Sequence, residues 1–305
     1  MKRSPFASLK NDFSASIVVF LVAVPLCLGI ALASGAPFFS GLVAGVVGGI
    51  VIGILSNSQL SVSGPAAGLT AIVLTSIATL GSFELFLVAV VIAGVFQLVL
   101  GFIKAGSIAN YFPGSVIKGM LTGIGIIIIL KQIPHAFGYD VEAEGSLSFL
   151  SPDGDNTFSA LLKPLRHVHV GVTIITLVSI ALLVLWEKPF MKKFKIVPGA
   201  LAAVVVSIIM NEAFKIWFPA LSVNANHLVR VPVANDLNEF LGLFTFPDFS
   251  NVFRKDVFVV AATLAAVASI ETLLCIEAVD KMDPQGRLTS QNRELKAQGV
   301  GNIIS

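Results

Sequence analysis

Two short stretches carry chemistry out of keeping with their surroundings. The first is Glu271, with fourteen uncharged residues before it and five after it in DVFVVAATLAAVASIETLLCIEAVD. A charge at the centre of a spanning helix costs about 2.5 to 3.5 kcal/mol on insertion scales, so it needs a partner or a purpose. Counting inward from Val257, the carboxylate lies about 20 Å along the helix, past its middle. Ala268 at i−3 and Cys275 at i+4 are small and leave room beside it. Two functional roles are open, a proton carrier or an oxygen ligand for a coupling cation such as sodium. The structural alternative is a carboxylate hydrogen-bonded to a neighbouring backbone or hydroxyl. Glu277 and Asp280 fall near the end of the span and read as solvated.

The second stretch is QLSVSGPAAGLTAI, Gln59 to Ile72, which interrupts an apolar run with Ser63, Gly64 and Pro65. Ser63 suits a helix N-cap and Pro65 a first helical turn. Ala66, Ala67 and Gly68 would then offer backbone N–H groups at the positive end of a helix dipole, with no bulky side chain in the way, which suits an anion. A helix from Ala66 to Gly81 rises only about 22 Å against a hydrocarbon core of about 30 Å. The residues before it must supply the missing depth as extended chain, buried in protein or lining a wet cavity. Broken helices aimed at a midplane site recur in secondary transporters. The competing reading makes Asn57 to Pro65 an ordinary turn followed by a routine cap.

The elements that would position these groups are helices. The chain is 55% hydrophobic and 12% charged, with mean hydropathy +0.90, against about 25% charged residues in a soluble domain. No Lys, Arg, Asp, Glu or His occurs between Phe13 and Phe83, enough for three passes. Open sheets cannot lie in lipid, and the runs do not alternate as barrel strands do, so the fold class is an all-α polytopic membrane protein. After a cytoplasmic segment at 1–14, spans are expected at about 15–33, 39–56, 66–81, 84–103, 115–132, 168–187, 197–217 and 257–278, with a ninth beginning near 298. MKRSPFASLK and the following run also resemble a signal peptide. The run is long for one and leads directly into more spans, so it reads as the first span.

Basic residues set the expected orientation. If every span crosses once, Lys2, Arg3, Lys10, Lys104, Lys118, Lys188, Lys192, Lys193, Lys195, Lys281, Arg287, Arg293 and Lys296 share one side, thirteen of the twenty, and that side is cytoplasmic. The acidic loop from His135 to Arg166 and the segment from Ala220 to Lys255 are then external. Gly41, Gly45, Gly49 and Gly53 in span two, and Gly119 with Gly123 in span five, have the spacing of close helix packing. Pro25 kinks span one, and Gln97 reads as helix glue.

Other chemistries are excluded or unsupported. Net charge is +2 with no basic or acidic tail, which gives no sign of nucleic acid. Cys27 and Cys275 lie inside spans and read as packing. His135, His167, His169 and His227 sit in or beside external loops without metal-ligand spacing. There is no paired nucleophile and base, no phosphate loop and no redox motif, so no catalytic residue, resident metal or cofactor is expected, apart from a coupling Na+ or H+.

VAVPLCLGIALASGAP, SVSGPAAGLTAIV, FPGSVIKGMLTGIGIII, IVPGALAAVVVSI and SIETLLCIEAVDKMDPQGRLTSQNRELKAQGVGNI, in this order across the chain, resemble the sulfate permease (SulP) family of inorganic anion transporters. The resemblance implies a fourteen-helix fold of two seven-helix inverted repeats, with core and gate domains. It implies half-helices in spans three and ten facing each other across the substrate. This chain would supply the first repeat and the start of the second. By position, Ala66, Ala67 and Gly68 would contact the anion, Gly64 and Pro65 would shape the approach, and Glu271 would couple transport to sodium or protons. Family substrates include sulfate, bicarbonate, chloride and dicarboxylates, and members commonly carry a STAS domain. Neither that domain nor the second half-helix occurs in these residues, which leads us to expect a fragment of a longer protein.

The leading expectation is symport of an inorganic anion, bicarbonate or sulfate favoured, by a multi-pass protein of the inner or plasma membrane with lipid around it. A homodimer is a candidate assembly. Alternatives are a nucleobase permease of the same fold and a non-transporting membrane component or remnant.

Overall fold

The computed structural model describes residues 9–111, 114–139, 168–188, 198–223 and 233–305. Among them the regular structure is helical throughout: α1 Leu9–Ala33, α2 Phe38–Leu55, α3 Ala67–Leu80, α4 Phe83–Phe102, α5 Gly114–Ala136, α6 Val170–Trp186, α7 Gly199–Trp217, α8 Leu237–Gly242, α9 Lys255–Met282 and α10 Gln291–Ile304. Five of these, α1 from Asp12 onward together with α2, α4, α7 and α9, are long and apolar enough to cross a membrane. Large apolar side chains such as Phe20, Ile54 and Ile209 are exposed, as a lipid-facing surface requires. Most of the acidic loop, the basic residues 192, 193 and 195, His167, His227 and the segment 224–232 lie outside the described residues.

The chain divides into two compact units, the division falling inside α1 and α5. In the first, α6 and α7 lie antiparallel. Gly171 at the start of α6 faces the Leu221 carbonyl beyond the end of α7, and Gly199 at the start of α7 faces Trp186 at the end of α6. Between these ends the hydroxyls of Ser179 and Ser207 meet at 2.9 Å. His169 caps α6, its Nδ1 accepting from the Val172 N–H at 3.3 Å.

The second unit holds α2, α3, α4, α8, α9 and α10, with the end of α1 from Cys27 and α5 as far as Ile128. Its core is the face shared by α4 and α9, where Val88, Ala89, Val257 and Ala261 are completely buried. Lipid tails are as apolar as these side chains, so close packing of small residues, rather than escape from water, holds such helices together. The α4–α10 crossing shows it directly: a Cβ placed on Gly94 would sit 2.7 Å from the Gly299 carbonyl, and one on Gly299 would sit 2.7 Å from that of Gly94.

The glycine stripe of α2 is used only in part. A Cβ on Gly41 would lie 2.2 Å from the Cys27 carbonyl and one on Gly45 would lie 2.7 Å from Cys27 Sγ, but Gly49 and Gly53 meet nothing within 4 Å. A π-helical turn, Gly48–Ile52, interrupts the register there, and within it Gly48 and Ile52 are the buried residues. Among the described residues nothing lies within 4 Å of a Cβ on Gly119 or Gly123, so the close approach expected of α5 is not seen there.

α10 begins at Gln291, seven residues ahead of the expected start near 298. Arg293, Glu294, Lys296 and Gln298 keep its first turns polar, so hydropathy does not mark them. At this end of the unit α2, α4 and α9 finish and α10 begins. The Leu55 carbonyl accepts from Arg293 Nε at 2.7 Å, Asn57 Oδ1 from the Ser290 N–H at 2.9 Å, and Asn292 Oδ1 from the Gly106 N–H at 2.9 Å. The starts of α4 and α9 lie at the other end, where the Asp248 N–H donates to the Glu84 carbonyl.

Candidate functional site

Between α2 and α3 the chain runs from Ser56 to Ala66 without helical structure. α3 itself has 14 residues, short of the roughly 20 a full span needs. It is cut short at its far end by Gly81, whose φ of +87° places it in the left-handed region that favours glycine after a helix. Ser82 follows at once and caps α4, accepting from the Leu85 N–H at 3.2 Å.

The near end differs from the expected cap. Ala66, extended at φ −95° and ψ 119°, occupies the N-cap position of a first turn that is 3₁₀, and no side chain caps it. Leu69 is the first residue to donate within the helix, to the Ala66 carbonyl at 3.1 Å. The N–H groups of Ala67 and Gly68 therefore precede the helical ladder. Ser63 lies three residues ahead of the N-cap position, with its hydroxyl bonded to Gln298 on α10, and Pro65 stands two residues before the helix rather than in its first turn. Gly64 has no positive φ. It lies where the chain passes close to α2: a Cβ on Gly48 would sit 2.3 Å from the Ser63 carbonyl and 2.9 Å from the Gly64 nitrogen.

Glu271, 203 residues further along than Gly68 (271 − 68), comes to the same place. A Cβ on Gly68 would lie 2.7 Å from Glu271 Oε1, 3.2 Å from its Cδ and 3.3 Å from Oε2. The helix start and the intramembrane carboxylate, read separately from the sequence, thus touch. Glu271 borders a cavity of about 1000 Å³ within the second unit, whose wall includes Ser63, Gly64, Pro65, Ala66, Ala268 and Cys275, while Ala67 and Gly68 are not among its lining residues. Phe39, Phe83, Phe86 and Phe244 supply an apolar side.

α10 contributes Glu294, Gln298 and Asn302 to the same wall, none of which was picked out from the sequence. Glu294 is 2% exposed. Asn302 Nδ2 donates to Gln97 Oε1 at 2.6 Å, and Gln97 Nε2 to Ser269 Oγ at 3.3 Å, so Gln97 does join helices as glue. What could have flagged Glu294 is its i, i+4 pairing with Gln298 in a helix otherwise lined with small residues, Ala297, Gly299 and Gly301. Among the described residues no three His, Cys, Asp or Glu side chains gather as a metal site.

The arrangement offers hydroxyls, amides and two carboxylates, Glu271 and Glu294, around a space for a small polar species. A family model described as the sulfate permease family matches residues 9–305. The sulfate-transporter candidate YvdB of Bacillus subtilis is 28% identical over 297 residues, 97% of this chain and 52% of the relative. The bicarbonate transporter BicA of Picosynechococcus sp. is 26% identical over 309 residues, 98% of this chain and 50% of the relative. The chain thus spans about half the length of these curated relatives. Among solved structures, the transmembrane domain of a cyanobacterial BicA matches with a TM-score of 0.63 at 24% identity, over 99% of this chain and 72% of that one. SLC26A9 matches with a TM-score of 0.56 at 21% identity, over 92% of this chain and 45% of that one.

Proposed function

Because this chain belongs to the sulfate permease family, we propose that it forms the first part of a secondary active transporter of an inorganic anion, bicarbonate or sulfate, bound at the start of α3. The observation that carries this reading is the meeting of Gly68 with the Glu271 carboxylate beside the cavity. The leading N–H groups of α3 and its positive dipole end suit an oxyanion. Gly64 and Pro65 shape the approach, and Ala66, Ala67 and Gly68 offer backbone without bulk.

The same contact supplies a reason for coupling. Two unit charges of like sign about 4 Å apart repel by about 4 kcal/mol at an effective dielectric of about 20. An anion at Ala67 and Gly68 and an ionised Glu271 therefore disfavour each other, and a proton or a sodium ion on the carboxylate removes the conflict. Anion and cation then bind together and move together, by symport. The transported unit crosses as the site alternates between the two sides, by an elevator-like or rocking movement of the family fold. The N-terminus and the basic end of the second unit face the cytoplasm in this reading.

The test is uptake of labelled sulfate and of labelled bicarbonate by the full-length protein in proteoliposomes, with and without inward sodium and proton gradients. Uptake of one anion that rises with one gradient is expected. Absence of uptake for both anions under both gradients overturns the proposal. In the same assay Glu271→Gln inserts normally and loses the response to the gradient; a variant that keeps the wild-type ion dependence removes Glu271 from the mechanism.

A further inference from the structure

The segment that delivers the chain to α3 is tied at both ends to one face of α10. At its start, where α2 finishes, the Ser56 hydroxyl donates to Glu294 Oε2 and accepts from the Ser58 N–H at 3.0 Å. At its end, Ser63 Oγ accepts from Gln298 Nε2 at 3.0 Å. Gln298 Nε2 also donates to Glu294 Oε1 at 3.0 Å. Glu294 and Gln298 are one helical turn apart and so share a face. The valences close: the two carboxylate oxygens each accept one bond, and the two amide protons of Gln298 serve Glu294 and Ser63. Ser63 Oγ also lies 3.3 Å from Gln298 Oε1, so both ends of the amide reach the hydroxyl, while Glu294 holds the Nε2 end. Behind the segment, Gly48 leaves room for the Ser63 carbonyl and no more. The peptide ahead of Pro65 is therefore held between α2 and α10.

We infer that Glu294 and Gln298 are positioning residues, which hold the Ser56–Ser63 segment to α10 and so set the location of the α3 start. This rests on the anion site proposed above, whose cavity wall both side chains also join. A carboxylate that is almost wholly buried is costly to keep. Its use here is directional: a single acceptor group organises a hydroxyl and an amide on two elements that are far apart in sequence. Loss of Gln298 frees Ser63, whereas loss of Glu294 frees both Ser56 and the orientation of Gln298.

Amide hydrogen exchange, read by mass spectrometry on the full-length protein in lipid nanodiscs, follows the segment without depending on transport. Gln298→Ala raises exchange between Asn57 and Ala66 about fivefold, the effect of one buried hydrogen bond, and leaves α4 unchanged. In proteoliposomes the same variant raises KM for the transported anion about fivefold with Vmax within about twofold. Ser63→Ala gives the same two changes and adds nothing further to Gln298→Ala, a non-additivity that general loss of packing does not produce. Glu294→Gln, which keeps shape but turns an N–H donor toward Ser56 or Gln298, moves both readouts in the same direction. Unchanged exchange in Gln298→Ala and Ser63→Ala overturns the tie. Raised exchange with unaltered KM overturns the positioning role. If the wild type moves neither sulfate nor bicarbonate while exchange still rises in the variants, the anion reading and the purpose assigned to the tie fall together, and the tie itself stands.

Discussion

At Gly68 the smallest side chain meets the most expensive one. A methyl group there would press on Glu271 Oε1 at 2.7 Å, closer than carbon and oxygen tolerate. The group that must yield is the free end of a flexible side chain rather than backbone, so the cost falls on the site and little of it on the fold. Gly68→Ala is expected to leave thermal stability within about 1 kcal/mol of wild type, because alanine also favours the helical turn. The same variant shifts the half-saturating concentration of the coupling ion about tenfold, equivalent to about 1.4 kcal/mol of altered ion binding. Measuring uptake against sodium or proton concentration checks this, and an unshifted ion dependence would separate Gly68 from the coupling step. Glu271 was legible in the sequence because one charge in a long apolar run needs an explanation. Glu294 was not, since a carboxylate among Arg293, Lys296 and Gln298 reads as solvated until its neighbours are known.

Among the elements, α3 and α10 both contribute to the cavity wall. α3 is legible as a short helix because its length and the Gly81 stop are local properties. Its N-terminal geometry was less so: the helix starts at Ala67 with Ala66 at the N-cap position, and Ser63 bonds instead to Gln298, a partner 235 residues away. Beyond the end of α9, Asp283 organises the turn into α10. It accepts from Arg287 Nε at 2.7 Å and Nη2 at 3.1 Å and from the Gln285 and Arg287 N–H groups. The Arg287 guanidinium holds the Asp283 carboxyl well below the usual carboxylate range. A group whose pKa is lower folded than unfolded stabilises above its unfolded value of about 3.9 and loses that contribution as pH falls further. Exchange of amides 284–289 is therefore expected to be flat from neutral pH to about 5 after correction for intrinsic rates, and to rise below about 4. Asp283→Asn should raise it at neutral pH and remove the acid-dependent step; an acid profile identical to wild type would remove Asp283 from the turn.

On the scale of the whole molecule, the second unit gathers Lys104, Lys281, Arg287 and Arg293 where α2, α4 and α9 end and α10 begins, with the starts of α4 and α9 opposite. The positive-inside rule then makes a topological prediction. In intact cells, a cysteine at exposed Leu288 should react with a membrane-impermeant maleimide only after the cytoplasmic face is opened, and one at exposed Phe253 should react from outside. The reverse pattern would invert the orientation. Hydropathy determined that this chain is a bundle of membrane helices, and the Gly/Pro-interrupted third span and the lone carboxylate of the eighth were legible because each is a break in a local pattern. Only the tertiary structure decided that the two breaks meet, that half of the α2 glycine stripe is packed, and that α10 holds the approach to α3. Helix period and apolar length are written over neighbouring residues, whereas the Gly68–Glu271, Ser63–Gln298 and Ser56–Glu294 contacts join positions some two hundred residues apart, and nothing in either partner's local sequence names the other.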